Sequence, residues 1–143
     1  MFEDDIVINQ QELEQKINNK TVLVIGGAGS IGSSYIRCLL RFKPKSLVVV
    51  DINENALTEL TRDLRSTKDL NVPNDYITYP MSYADPVFYK MFNFRKGFDI
   101  VANFSAHKHV RSEKDKFSIE ALINNNIINA KGLLDLLLDY PPK

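Results

Sequence analysis

The sequence predicts an α/β chain, a doubly wound parallel β-sheet with helices on both faces, in about four strand–helix units. Three observations predict it. Short β-branched runs alternate with longer amphipathic stretches, the order expected of βαβ units. The runs Thr-Val-Leu-Val-Ile at 21–25 and Ser-Leu-Val-Val-Val at 46–50 are almost continuously apolar, as strands buried on both faces must be. A glycine cluster separates the first run from a stretch of helical spacing.

Residues 9–19 read as a short polar helix, so an N-terminal helical arm at 1–20 is set apart from a domain at 21–143. After the first strand, Tyr35, Ile36, Leu39 and Leu40 mark a helix over 31–42, which Pro44 ends. The second strand closes on Asp51. Asn53 or Asn55 caps the next helix, whose apolar positions are Leu57, Leu60 and Leu64. A polar loop at 69–75 leads to a short third strand at 76–79, a short helix at 85–94 and a fourth strand at 98–104. The last helix, about 117–138, stops before Pro141 and Pro142, and the strand order expected of a Rossmann-type sheet of these units is 3-2-1-4.

A length of 143 residues suits one domain with a core. Lysine plus arginine (18) balances aspartate plus glutamate (18), so there is no net field to draw in nucleic acid or an anionic membrane. No apolar run approaches the roughly 20 residues that cross a bilayer. The start, Met1-Phe2-Glu3-Asp4-Asp5, is acidic where a signal peptide is basic. The single cysteine, Cys38, excludes an internal disulfide and a multi-cysteine metal site, and no metal is expected. A cytoplasmic location is the expectation.

The glycine cluster satisfies GxGxxG through Gly27, Gly29 and Gly32, and GxxGxxG through Gly26, Gly29 and Gly32. It follows a strand and opens a helix, the context of a Rossmann-type dinucleotide site. The tight turn needs backbone angles that a Cβ resists, and a pyrophosphate must approach bare main chain. Ser30 and Ile31 lie in the first helical turn, where unpaired N–H groups and the positive dipole end favour phosphate oxygens. A plain structural turn is the alternative. Asp51, 19 residues after Gly32, suits both hydroxyls of an adenosine ribose and repels a 2′-phosphate, which favours NAD; a capping role is its alternative. Asn53 stands beside it, while Lys43 and Lys45 leave NADP less favoured but open.

Four stretches carry a closer likeness: Val-Leu-Val-Ile-Gly-Gly-Ala-Gly-Ser-Ile-Gly-Ser at 22–33, Lys-Ser-Leu-Val-Val-Val-Asp-Ile-Asn-Glu-Asn-Ala-Leu at 45–57, Ser105-Ala106-His107-Lys108-His109-Val110, and Glu113 with the helix bearing Asn126. Over residues 17–138 the chain resembles the N-terminal part of extended short-chain dehydrogenase/reductases. Within them it is similar to the CapD-like polysaccharide biosynthesis proteins, which are UDP-N-acetylglucosamine 4,6-dehydratases and related nucleotide-sugar epimerases. The Lys-His-Val segment discriminates most. The resemblance implies that Ser105 and Ala106 line the nicotinamide-side ribose, that Lys108 meets phosphate oxygens, and that Asn126 hydrogen-bonds backbone near the active site. It gives His107 no role and makes His109 structural. Ser82 falls where the family has an aspartate against adenine; Ile25 replaces a threonine, and Asn129-Ala130 a Gly-Thr.

The family's Ser/Thr-Asp-Lys segment and its Tyr- or Met-x-x-x-Lys motif would follow Lys143, so no catalytic residue is assigned here and cofactor binding without turnover is expected. The implied partners are NAD and, in a longer protein, a UDP-sugar. A fourth strand without a fifth beside it would expose Ile100, Val101 and Phe104, so self-association into a homo-oligomer is expected. Two other classes remain open: an NAD-sensing regulatory domain, and an S-adenosylmethionine-dependent methyltransferase, which also uses a glycine loop and an acidic residue.

Overall fold

A computed structural model describes residues 2–106 and 115–143. Four parallel strands, β1 (Thr21–Ile25), β2 (Ser46–Asp51), β3 (Asp75–Pro80) and β4 (Ile100–Asn103), form one sheet in the order β3-β2-β1-β4. This is the Rossmann-type order the sequence predicts. Helices α3 (Ser30–Leu40) and α4 (Glu54–Ser66) cover one face; α5 (Pro86–Arg95) and α7 (Asn129–Asp139) cover the other.

Strand alternation divides the apolar runs between two cores. Val22, Val24, Leu47 and Val49 meet Ile36, Leu39, Leu57 and Leu60 on the α3–α4 side. Leu23, Ile25, Val48 and Val50 meet Phe88, Phe92, Leu133 and Leu136 on the other. All eight strand residues are at most 1% exposed, the reason their sequence shows no polar alternation. Each fully buried leucine or valine contributes about 1.5–3 kcal/mol, so these two strands anchor the fold.

The element boundaries depart from the sequence expectation where side chains intervene. The arm is two helices, α1 (Phe2–Ile8) and α2 (Gln10–Ile17), rather than one. Asn9 joins them, its main-chain N–H and its side-chain amide both donating to the Asp5 carbonyl. Helix α3 stops at Leu40, ahead of Pro44, because Lys43 takes a left-handed conformation (φ 53°). Strand β4 is shorter than expected. Phe98 is drawn into the core against Phe92, ring centroids 5.3 Å apart, and the Asp99 carboxylate turns to the Thr21 N–H and hydroxyl. Pairing with β1 starts only at Ile100.

The last helical stretch is not uniform: α6 (Lys116–Ile123) passes through a π-helical turn (Asn124–Ile128) into α7. Among the described residues β4 has β1 as its one neighbour, and Ile100, Val101 and Phe104 are half-buried. The Phe104 ring rests on Tyr35, centroids 5.1 Å apart. No helix of the described residues is long and apolar enough to cross a membrane.

Candidate functional site

The carboxyl ends of the strands gather most of the predicted residues, beginning with the glycines. Gly26 ends β1 with its N–H donating to the Val50 carbonyl at 2.7 Å, and takes φ +71°. A Cβ there would lie 2.7 Å from the Ser105 nitrogen, so the loop leaving β4 crosses directly over it. A Cβ on Gly32 would lie 2.3 Å from the Gly26 carbonyl oxygen and 2.8 Å from the Gly27 Cα, so helix and loop touch backbone to backbone. Gly29 differs. Its added Cβ would meet only the Gly26 oxygen, at an ordinary 3.6 Å. The fold requires Gly26 and Gly32; the space beside Gly29 is open.

Gly29 is also the N-cap of α3, and as a glycine it supplies no side chain to cap the helix. The first N–H groups, those of Ser30, Ile31 and Gly32, therefore have no helical acceptor. Ser30 is exposed and Ile31 is 54% exposed, so this turn faces solvent with its positive dipole end. The Ser33 and Ser34 hydroxyls fold back to the Ser30 carbonyl and leave the N–H side clear.

Asp51 ends β2 and holds the loop in place. One carboxylate oxygen accepts the Ala28 N–H at 3.0 Å and the other the Asn53 N–H at 3.0 Å. An ionised carboxylate has about four acceptor positions, so roughly two remain for a ligand's hydroxyls. Asn53, not Asn55, caps α4, its side-chain oxygen accepting the Ala56 N–H at 3.0 Å. Lys43 and Lys45 precede β2, so the whole strand, roughly 17 Å at about 3.3 Å per residue, separates them from Asp51.

Ser82 lies in the loop after β3. Its N–H donates to Asp85 at 2.9 Å and its hydroxyl accepts the Ala84 N–H at 3.2 Å, so this turn is closed on itself. Beyond β4, the Ser105 N–H donates to the Asn103 side-chain oxygen at 2.9 Å, and Ala106 is exposed. Lys108 lies outside the described residues, as do His107, His109, Val110 and Glu113. Asn126 is half-buried in the π turn and accepts the Asn125 side-chain N–H at 2.9 Å.

Sequence reasoning missed Tyr83. It is 3% exposed, and its hydroxyl donates to the Asn125 carbonyl in the π turn at 2.7 Å. Burial, above all, pushes the phenol's pKa up. No local pattern marks it, because its partner lies 42 residues along the chain.

A groove of about 960 Å³ runs beside the loop, between the arm and α3, with Ile6 and Leu13 facing Ser30, Ile31, Tyr35 and Phe104.

Known proteins share this architecture. The fold is similar to that of Pen from Bacillus thuringiensis, 22% identical with a TM-score of 0.73, covering 89% of this chain and 37% of that one. It is also similar to the enzyme WbmF from Bordetella bronchiseptica in complex with NAD+ and UDP, 24% identical with a TM-score of 0.62, covering 87% and 34%. In sequence the chain is similar to the probable polysaccharide biosynthesis protein EpsC of Bacillus subtilis, 29% identical over 133 residues, which is 91% of this chain and 21% of that protein. The chain spans 17–21% of the length of the curated relatives it matches. Residues 22–140 match the polysaccharide biosynthesis protein family, and the chain belongs to that family.

Proposed function

We propose that this chain binds NAD across the carboxyl edge of its sheet, as the cofactor-holding part of a nucleotide-sugar dehydratase or epimerase, of the UDP-N-acetylhexosamine 4,6-dehydratase type. The observation that carries the reading is the pairing of open space at Gly29 with Asp51. A pyrophosphate seated against the Ser30, Ile31 and Gly32 N–H groups leaves its adenosine ribose beside a carboxylate with acceptor positions to spare. The strand order reverses between β1 and β4, the switch point at which open α/β sheets bind ligands. The second half of the dinucleotide then lies over Ser105 and Ala106, with Asn126 further along that side, and the family resemblance gives Lys108 the phosphate oxygens.

WbmF binds NAD+ and UDP on a similar fold, which supports the cofactor and the sugar-nucleotide class. A strand's length between Asp51 and the two lysines supports NAD over NADP, since neither lysine is beside the ribose to neutralise a 2′-phosphate. Asn53 and Ser82 complete the adenosine side, and residues 1–20 form an arm on a domain at 21–143. A bound nicotinamide would supply hydride exchange with the sugar, and the residues here bind and orient it. No residue here is assigned to catalysis.

Calorimetric and thermal titration with NAD, NADP and S-adenosylmethionine tests this. NAD at one hundred times its Kd should add about 2.7 kcal/mol of stability. NADP should bind more weakly, and S-adenosylmethionine should not bind. Stabilisation by S-adenosylmethionine, or no response to millimolar NAD, overturns the reading.

A further inference from the structure

The amino edge of the sheet, opposite the glycine loop, gathers lysines. The starts of β2, β1 and β4 lie side by side, about 4.8 Å apart, and each brings one. Lys45 precedes β2 and Lys20 precedes β1, the Lys45 N–H donating to the Lys20 carbonyl at 2.8 Å. Beside β4, the Lys143 N–H donates to the Asp99 carbonyl at 3.1 Å. Lys43 joins them, its carbonyl accepting the Asn19 N–H at 3.1 Å. Lys96 caps α5, whose last turn reaches this edge because Arg95 pairs with Asp75 at the start of β3. Among the described residues no carboxylate stands within ion-pair distance of these five ammonium groups. Asp75 is matched by Arg95, while Asp99 and Asp139 are two charges against five. A helix dipole favours a cation at Lys96, but Lys20 and Lys45 directly precede strands, where no dipole calls for them.

The chain as a whole is neutral, yet charges further apart than a Debye length, about 8 Å at physiological salt, do not cancel one another. Next to Lys96 the Phe94 ring is 87% exposed. An apolar ring flanked by ammonium groups matches a bilayer surface, where anionic headgroups lie over hydrocarbon.

We infer that the amino edge docks on a membrane surface bearing anionic lipids, with the lysines among the headgroups and Phe94 entering the hydrocarbon boundary. Lysine suits this partner, because a compact, mobile point charge needs no fixed geometry in the anions it meets. At about 3.3 Å per residue, β1 sets the glycine loop roughly 17 Å from this edge, on the side open to water. The inference stands apart from the cofactor reading.

Co-sedimentation with vesicles tests it, using phosphatidylcholine alone and phosphatidylcholine with about one part in three phosphatidylglycerol. The chain should bind the anionic vesicles at about 0.1 M salt, leave them at about 0.5 M, and ignore the neutral ones. Lys43→Gln, Lys45→Gln and Lys96→Gln, all at exposed side chains, should each weaken binding about five-fold and together on the order of 100-fold. Phe94→Ala should weaken it about five-fold and leave the salt dependence unchanged. Removing three charges elsewhere, by Arg62→Gln, Lys90→Gln and Lys131→Gln, should change binding by less than about three-fold. No capture by anionic vesicles, equal capture by neutral ones, equal losses in the two triple variants, or no loss in Phe94→Ala overturns the inference. Release from the vesicles by duplex DNA at equal phosphate concentration overturns lipid as the partner.

Discussion

The two ends of the cleft are held by different kinds of contact. From Gly26 to Asn53 the site is main chain braced by residues close in sequence: Asp51 reaches Ala28 and Asn53, and Gly32 sits against Gly26. From Asn103 onward it is held by side chains: Asn103 takes the Ser105 N–H, and Tyr83 ties the loop after β3 to the π turn. The strands beneath follow the same division, since β1 and β2 are buried almost throughout while the residues of β4 are half-buried or exposed. The first end is main chain packed against main chain and the second rests on side-chain hydrogen bonds, so single substitutions should separate the two.

The largest effect should come from Gly32→Ala. Its Cβ would enter the Gly26 carbonyl and the Gly27 Cα, and backbone cannot step aside as a flexible side chain can. Overpacking of this kind costs about 1–3 kcal/mol or more, so Tm and NAD affinity should fall together. Gly29→Ala should separate them. It has room and an ordinary φ of −71°, so Tm should hold within a degree or so, while a pyrophosphate would meet the new methyl group and NAD should weaken about ten-fold or more. Unchanged NAD affinity in Gly29→Ala would mean that the phosphate does not lie there.

Asp51→Ala should have a smaller, mixed effect. Two main-chain N–H groups lose their acceptor, one of them in the glycine loop, which costs about 1–2 kcal/mol. The preference for NAD over NADP should also narrow, because the carboxylate that repels a 2′-phosphate is gone. Asp51 and the glycines were legible in the sequence for the reason that makes them rigid: strand, turn, helix and acid follow one another within 26 residues, Gly26 to Asp51. The central place of β1 and β2 in the sheet was legible too, because the apolar runs at 21–25 and 46–50 suit burial on both faces. Tyr83 and the π turn were not. The Asn-Asn-Asn stretch at 124–126 reads as an ordinary helical segment, and only the folded chain brings Asn125 to a tyrosine 42 residues away.

The amino edge of the sheet provides the control. Asp99 takes the Thr21 N–H at 2.9 Å and its hydroxyl at 3.0 Å, joining the starts of β1 and β4 far from either end of the cleft. The Thr21 main-chain N–H, above all, holds the Asp99 pKa below the usual carboxylate range; at the start of β3 the hydrogen bond from Arg95 does the same for Asp75. A carboxyl whose folded pKa is depressed releases its proton more readily in the folded protein. Its stabilisation is therefore complete above the unfolded value, about 3.9, and is lost as pH falls through the lower folded value. Thermal stability should thus decline on acidification below about pH 5. Asp99→Asn should flatten that decline and lower stability at neutral pH by no more than about 1 kcal/mol, since the group is partly solvated and screened. NAD affinity at neutral pH should not change. If Asp99→Asn weakens NAD, then the position of β4 along β1, rather than the Asn103–Ser105 hydrogen bond at its far end, sets where Ser105 stands.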